Sequence, residues 1–189
     1  MCDYRELEGE ERFDKVASIG MVEHVASAML EDYFRHALRL LRPRGTFLCH
    51  GIASRVDRAP RKGPSFVQRY VFPDGELVPI GKLALAAETA GFEVRDVEGL
   101  REHYVLTLER WRERLEARRE DAVRAAGETS YRVFRLYLAG SAHGFRTGRI
   151  GVYQTLLVKP EAGASGLPLT RDDWYASARK LGPSRPRPD

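Results

Sequence analysis

Residues 13–22, FDKVASIGMV, decide the fold. The run reads as a short buried strand that ends at Gly20. Residues 27–42, SAMLEDYFRHALRLLR, place Leu30, Phe34, Ala37, Leu38 and Leu41 at helical spacing, which predicts an amphipathic helix. Ser27 is the expected N-cap, and Pro43 with Gly45 the expected stop. TFLCHGIA, residues 46–53, reads as a second buried strand. Strand, helix and strand joined by tight turns form a right-handed crossover in a parallel sheet, which makes the chain α/β.

Downstream, residues 54–78 are rich in Arg, Pro and Gly and read as irregular. A helix is expected at about 80–90, stopped by Gly91, and FEVRDVEGL, residues 92–100, reads as a third strand. From Glu102 to about Ala126 the pattern is a long helix in which Glu and Arg alternate, the usual composition of a solvated face. A further helix is expected over 128–140, with Gly140, Gly144 and Gly148 breaking up the stretch after it. RIGVYQTLLVKP, residues 149–160, reads as a closing strand. Residues 1–160 are then one domain with a helical insertion. Residues 161–189 form a proline-rich tail, disordered at its end, with LPLTRDDWY (167–175) able to dock locally.

An open α/β sheet binds nucleotides at the carboxyl ends of its strands, usually over a Gly-rich turn after the first strand. Here the only Gly-containing strand end is Ser18-Ile19-Gly20-Met21. A strand starting at residue 13 would also present an apolar edge if it had no neighbour on its outer side. The expectation is therefore a fold truncated at its N-terminus, without its first strands and cofactor loop.

Composition narrows the function classes. The 189 residues are 43% hydrophobic and 31% charged, with a net charge of +4, so a real core is available and the basic excess is modest. Two cysteines, Cys2 and Cys49, argue against a disulfide framework. No apolar run reaches the ~20 residues of a membrane-spanning helix, and the charged N-terminus has no signal-peptide pattern. A cytoplasmic protein is expected, with any membrane role peripheral. Arg alternates with Glu rather than clustering with aromatics, so no nucleic-acid partner is expected.

FDKVASIGMVEHV (13–25) resembles the central strand and following loop of cyclopropane-fatty-acid synthases. LRPRGTFLCHGI is similar to that family's next helix end and strand, and FVQRYVFPDGEL to its insertion with an F-P-x-G turn. GFEVRDVEGLREHYVLTLERW resembles its HY-xx-TL-xx-W segment, and YRVFRLYLAGSAHGFRTGRIGVYQTLLVKP its last helix and closing strand. The resemblance spans about residues 3–175 but only the later part of the family's catalytic domain. It implies a Rossmann-like class I methyltransferase fold. It also implies S-adenosylmethionine as methyl donor and the cis double bond of phospholipid acyl chains, at the inner face of the membrane, as acceptor. Ala26, Gly51 and Val78-Pro79-Ile80 depart from the family's pattern.

The resemblance also implies site residues. A bicarbonate ion serves as base, held by Glu23, His50, the backbone at Ile52, Tyr104 and an upstream Cys that Cys49 does not match. Asp3, Ser18, Ile19 and Gly20 would face the cofactor. Tyr137, Phe145 and Tyr153 would line the acyl chain, since a cationic reaction centre calls for π-faces and no stray nucleophile. Read without the family, Glu23 and His24 are a solvated loop pair, His50 a core histidine, and Phe145 and Tyr153 core aromatics. His24, His50, His103 and Glu23 are metal-ligand types but lack a tight ligand motif, so no metal is expected. The competing reading is a non-catalytic fragment, or one half of a split enzyme whose front half is separately encoded.

Overall fold

The computed structural model describes residues 2–57 and 63–180. Its strands are β1 (Phe13–Ile19), β2 (Leu41–Ser54), β3 (Glu93–Gly99) and β4 (Ile150–Val158). They form one four-stranded sheet in the order β1-β2-β4-β3. β1 and β2 are parallel and joined through helix α1 (Leu30–Leu40), as the opening stretch predicts. β4 returns antiparallel between β2 and β3. The remaining helices are α2 (Phe66–Tyr70), α3 (Ile80–Thr89), α4 (Arg101–Ala117), α5 (Arg119–Arg146) and α6 (Asp172–Lys180).

Side chains alternate across β2, so each face of the sheet builds its own core. Phe47 and Cys49 join Leu30, Phe34, Ala37 and Leu41 of the α1 region, Leu83 and Ala87 of α3, and Leu157 of β4. Ile52 packs on the other face with Leu108 of α4, Leu138, Ala142 and Phe145 of α5, and Val152 of β4. Phe34, Phe47, Phe145 and Leu108 are each 1% exposed, and burial of each such side chain contributes up to about 1.5–3 kcal/mol. The second core brings the insertion helices α4 and α5 against Ile52, near the carboxyl end of β2, and against β4.

Several element bounds differ from expectation for local reasons. The predicted strand 13–22 stops at Ile19, and Val22–His24 is a 3-10 turn. The helix predicted over 27–42 begins at Leu30 after a 3-10 turn Ser27–Met29, and Ser27 does not cap it through its side chain. It ends at Leu40 because Leu41 turns extended (ψ 139°) and enters β2, which carries Pro43 and Gly45 inside a register shift. The segment 54–78, read as irregular, contains α2, whose Ser65 and Gln68 form a reciprocal capping box.

The helix break expected near residue 127 is present: Gly127 sits at φ 83°, ψ 159°, outside helical geometry and open to a residue without Cβ. A second break, at Arg118 (φ −113°, ψ 39°), was not foreseen. Gly140 and Gly144 do not break the chain; α5 runs through both to Arg146. In the tail, Arg171 pairs with Asp96 of β3 at 2.5 Å and, within the tail itself, places its cation over Trp174, while Leu169 and Tyr175 stay exposed. Residues 181–189, where disorder was expected, lie outside the described residues.

Candidate active site

The site begins where β1 ends. Gly20 donates its N–H to the His50 carbonyl at 2.9 Å and turns the chain at φ 67°. Val22 then drops into the first core, 4% exposed, which orients the next residue, Glu23, along the top of β2. Glu23 Oε1 accepts the Ile52 N–H at 2.7 Å, while Glu23 Oε2 is buried with no hydrogen-bond partner. Gly51 makes this approach possible: a Cβ there would meet Val22 Cγ1 at 2.3 Å.

Tyr104, on the first turns of α4, joins Glu23 from the other side of the sheet. Burial, and then the Glu23 carboxylate, push its hydroxyl above the usual phenol value, so it remains an O–H donor at neutral pH. Tyr137 of α5 is raised by burial and by Tyr104, with a smaller contribution from Glu23. The rings form two groups. Phe72 stands edge-on to both His24 (5.5 Å) and Tyr137 (5.8 Å), and Tyr104 is edge-on to Phe145 (4.9 Å) and Trp111 (6.1 Å).

The other sequence-predicted residues separate into groups. His50 stands on β2 two residues from Ile52, on the same face, and its ring makes no hydrogen bond among the described residues. Phe145 is 1% exposed and backs Tyr104 from within the second core, so it presents no free wall. Tyr153 alternates with Val152 and therefore points to the opposite face, where its ring lies over Gly151 and Gly99. It is not brought together with Tyr104 and Tyr137.

At the proposed cofactor side, Ser18 Oγ is buried and accepts the Tyr33 hydroxyl at 2.7 Å. Asp3 caps its own turn and accepts from Arg5, which holds its carboxyl down at about 2. Ile19 is 71% exposed, and no atom lies within 4 Å of a Cβ placed on Gly20. Cys49 faces the first core beside Tyr33; burial, then Glu23, push its thiol up to about 12. Among the described residues, no three His, Cys, Asp or Glu side chains are grouped to hold a metal ion.

Two residues of this site were not singled out from the sequence. Phe72 and Glu76 belong to the FPDGEL stretch, read there only as part of an insertion. The Glu76 N–H donates to the Glu23 carbonyl at 2.8 Å, and its carboxylate accepts the Ser27 N–H at 2.8 Å. The available signal was the Phe-Pro-Asp-Gly turn, which requires a fixed backbone at that point.

A half-sheet of this order, with its polar site at the carboxyl ends of two parallel strands, defines a Rossmann-like class I methyltransferase fold. Residues 1–155 match the mycolic acid cyclopropane synthetase family. The chain belongs to that family, one of S-adenosylmethionine-dependent lipid methyltransferases and cyclopropane synthases. It is 45% identical, over 93% of its length, to a probable fatty acid methyltransferase of Pseudomonas putida, of which it spans 45%. It is 32% identical, over 82% of its length, to the cyclopropane-fatty-acyl-phospholipid synthase of Escherichia coli, of which it spans 39%. The mycolic acid cyclopropane synthase CmaA1, solved with SAH and CTAB, superposes with a TM-score of 0.76 at 30% identity, covering 82% of this chain and 58% of that one. The chain thus spans less than half the length of these two curated relatives.

Proposed function

We propose that this chain forms the acceptor side of an S-adenosylmethionine-dependent methyltransferase that adds a methylene or methyl group to the cis double bond of unsaturated phospholipid acyl chains. The observation that carries the reading is Glu23 Oε2, buried without a hydrogen-bond partner at the carboxyl end of β2, where its charge also raises the Tyr104 hydroxyl. A buried acceptor left unsatisfied is costly, so such an atom at a strand end marks a place for a donor from a ligand. The relatives' names, a fatty acid methyltransferase and an acyl-phospholipid synthase, support a lipid acceptor.

S-adenosylmethionine, when bound, supplies an electrophilic methyl group. The residues at the end of β1 fit its approach: Gly20 leaves open space for a close backbone contact, and Ile19 is exposed beside it. Ser18 and Asp3 are engaged with Tyr33 and Arg5 and would have to exchange those partners to touch it. A bicarbonate ion fits the donor and acceptor set in part. Glu23 Oε2 would accept its hydroxyl, Tyr104 would donate to it, and the ion would supply a base. The Ile52 amide, already bonded to Glu23, is not free for it.

The protein's own groups then have separate tasks. Glu23 and Tyr104 fix the proton inventory at the reacting carbon. Phe72, Tyr104 and Tyr137 offer π-faces to positive charge on the acyl chain and keep out nucleophiles. The acceptor would be reached at the inner face of the membrane by a peripheral cytoplasmic protein; no helix among the described residues is long and apolar enough to cross a bilayer.

A second reading rests on β1, an edge strand of the sheet among the described residues, with Ile19 71% exposed at its end. An open strand edge is a template for pairing. In this reading a separately encoded front half pairs there and supplies the rest of the cofactor pocket. Calorimetric titration with S-adenosylmethionine separates the two. Saturable micromolar binding by this chain supports the first, to be followed by labelled-methyl transfer to unsaturated phospholipid vesicles. No binding by the folded chain rejects the first for the chain alone.

A further inference from the structure

We infer that Glu76 is a positioning residue for Glu23, acting across the chain from the 65–78 segment; this rests on the reading of Glu23 as a site residue. The loop that carries Glu23 has no cap of its own. The turn Ser27–Met29 and helix α1 both start without a side-chain hydrogen bond at their caps. Glu76 supplies what is missing from 49 positions away: its carboxylate accepts the Ser27 N–H at 2.8 Å, and its own N–H holds the Glu23 carbonyl at 2.8 Å. A carboxylate at that point also faces the positive end of α1.

Glu76 is itself held from behind. Gln68, locked by the capping box with Ser65, donates to the Gly75 carbonyl at 3.2 Å. Phe72 wedges between His24 and Tyr137, and the Ser54 N–H donates to the Val78 carbonyl at 3.0 Å, which ties the end of the segment to β2. The segment therefore grips residues 23–27 at both ends. With that grip, the Glu23 carboxylate stays on the Ile52 amide and its second oxygen stays unpartnered for a ligand. Without it, the loop is held by the burial of Val22 and Val25, by the Gly20 N–H on the His50 carbonyl and by the Glu23 carboxylate on the Ile52 amide, with nothing fixing the Glu23 carbonyl or the Ser27 N–H.

The test is amide hydrogen exchange of this chain, read residue by residue, in wild type, Glu76→Gln and Glu76→Ala. Among the described residues no hydrogen bond joins Glu76 to the Glu23 side chain or to Ile52, so the Ile52 amide is the reporter. Expected is exchange at Ile52 faster by about tenfold in Glu76→Ala, the size of one lost capping interaction. Glu76→Gln should be intermediate, because its amide oxygen still accepts. Leu48, on the same strand, should keep its wild-type rate. An unchanged Ile52 with a faster Ser27 would show a local cap only and overturn the proposal. Equal acceleration at Ile52 and Leu48 would show a general loss of stability and overturn it too. If Glu76→Ala does not fold, the Glu76→Gln rates alone decide. Exchange needs no turnover, so a failed methyltransferase assay would count against the proposed function and not against the grip. In an active assembly the same variants lower kcat and leave KM for the lipid unchanged.

Discussion

Gly51 and Val22 are packed so closely that no side chain fits between them: a Cβ on Gly51 would lie 2.3 Å from Val22 Cγ1. This contact lets the turn after β1 lie down on β2 and carry Glu23 to the Ile52 amide.

Gly51→Ala should therefore act on both stability and site. Forcing a methyl group into a filled site costs about 1–3 kcal/mol. Chemical denaturation should show that loss. The same variant should also weaken protection of the Ile52 amide, because Val22 and Glu23 must move together. Wild-type stability would mean that Val22 has room to rotate away.

Glu23→Gln and Tyr104→Phe should remove the proton-handling groups and leave the packing intact. In an assembly active on unsaturated phospholipid, each should lower kcat by about 100- to 10,000-fold, the usual size of an acid–base contribution. Circular dichroism and melting temperature should be little changed. Near-wild-type turnover in both variants would remove these residues from the reaction.

The two thiols should differ sharply. Cys2 is exposed, whereas Cys49 is buried and its thiol is pushed up to about 12, first by burial and then by Glu23. The thiolate is the reactive form. Titration with a thiol reagent at about pH 8, near the ordinary thiol range, should label Cys2 alone in the native protein, and both residues after denaturation. Rapid native labelling of Cys49 would show that the first core opens readily.

Glu76 should make stability depend on pH. The Ser27 N–H and hydroxyl hold its carboxyl below the usual glutamate value. A depressed folded-state value stabilises the protein above the unfolded-state value, and the gain is lost as pH falls through the folded one. Glu76→Gln should thus lower the melting temperature at neutral pH and match wild type below the ordinary carboxylate range. A constant difference at every pH would assign the effect to packing.

The tail should contribute through one ion pair. The Asp96 side chain is 6% exposed and meets Arg171 at 2.5 Å. Arg171→Met leaves that carboxylate buried without its cation. Breaking a fully buried pair costs about 3–5 kcal/mol; with Arg171 57% exposed, about half of that is expected in equilibrium unfolding. Asp96→Asn in the same background should recover most of it.

The strand-helix-strand opening was legible because its periodicities are local: strand register, the stripe of α1 and the Gly20 turn are set by residues a few positions apart. The break at Gly127 was legible for the same reason. The motif pairs E-H and H-Y also marked Glu23 and Tyr104, and the Glu23 charge does reach the Tyr104 hydroxyl. Relations across faces and between distant segments were beyond the sequence. Tyr153 and Phe145 share the aromatic character of Tyr137. Alternation in β4 sends Tyr153 to the far face, and burial in the second core removes Phe145 from any free surface. Ser27 has the chemistry of a helix cap, yet its own N–H takes its partner from Glu76, 49 residues on. Sequence by itself determined the elements and the residue types at the strand ends, because short-range sterics and hydrophobic spacing dictate them. Only the tertiary structure decided which of those residues meet, because that depends on sheet register and on a close approach such as Gly51 to Val22.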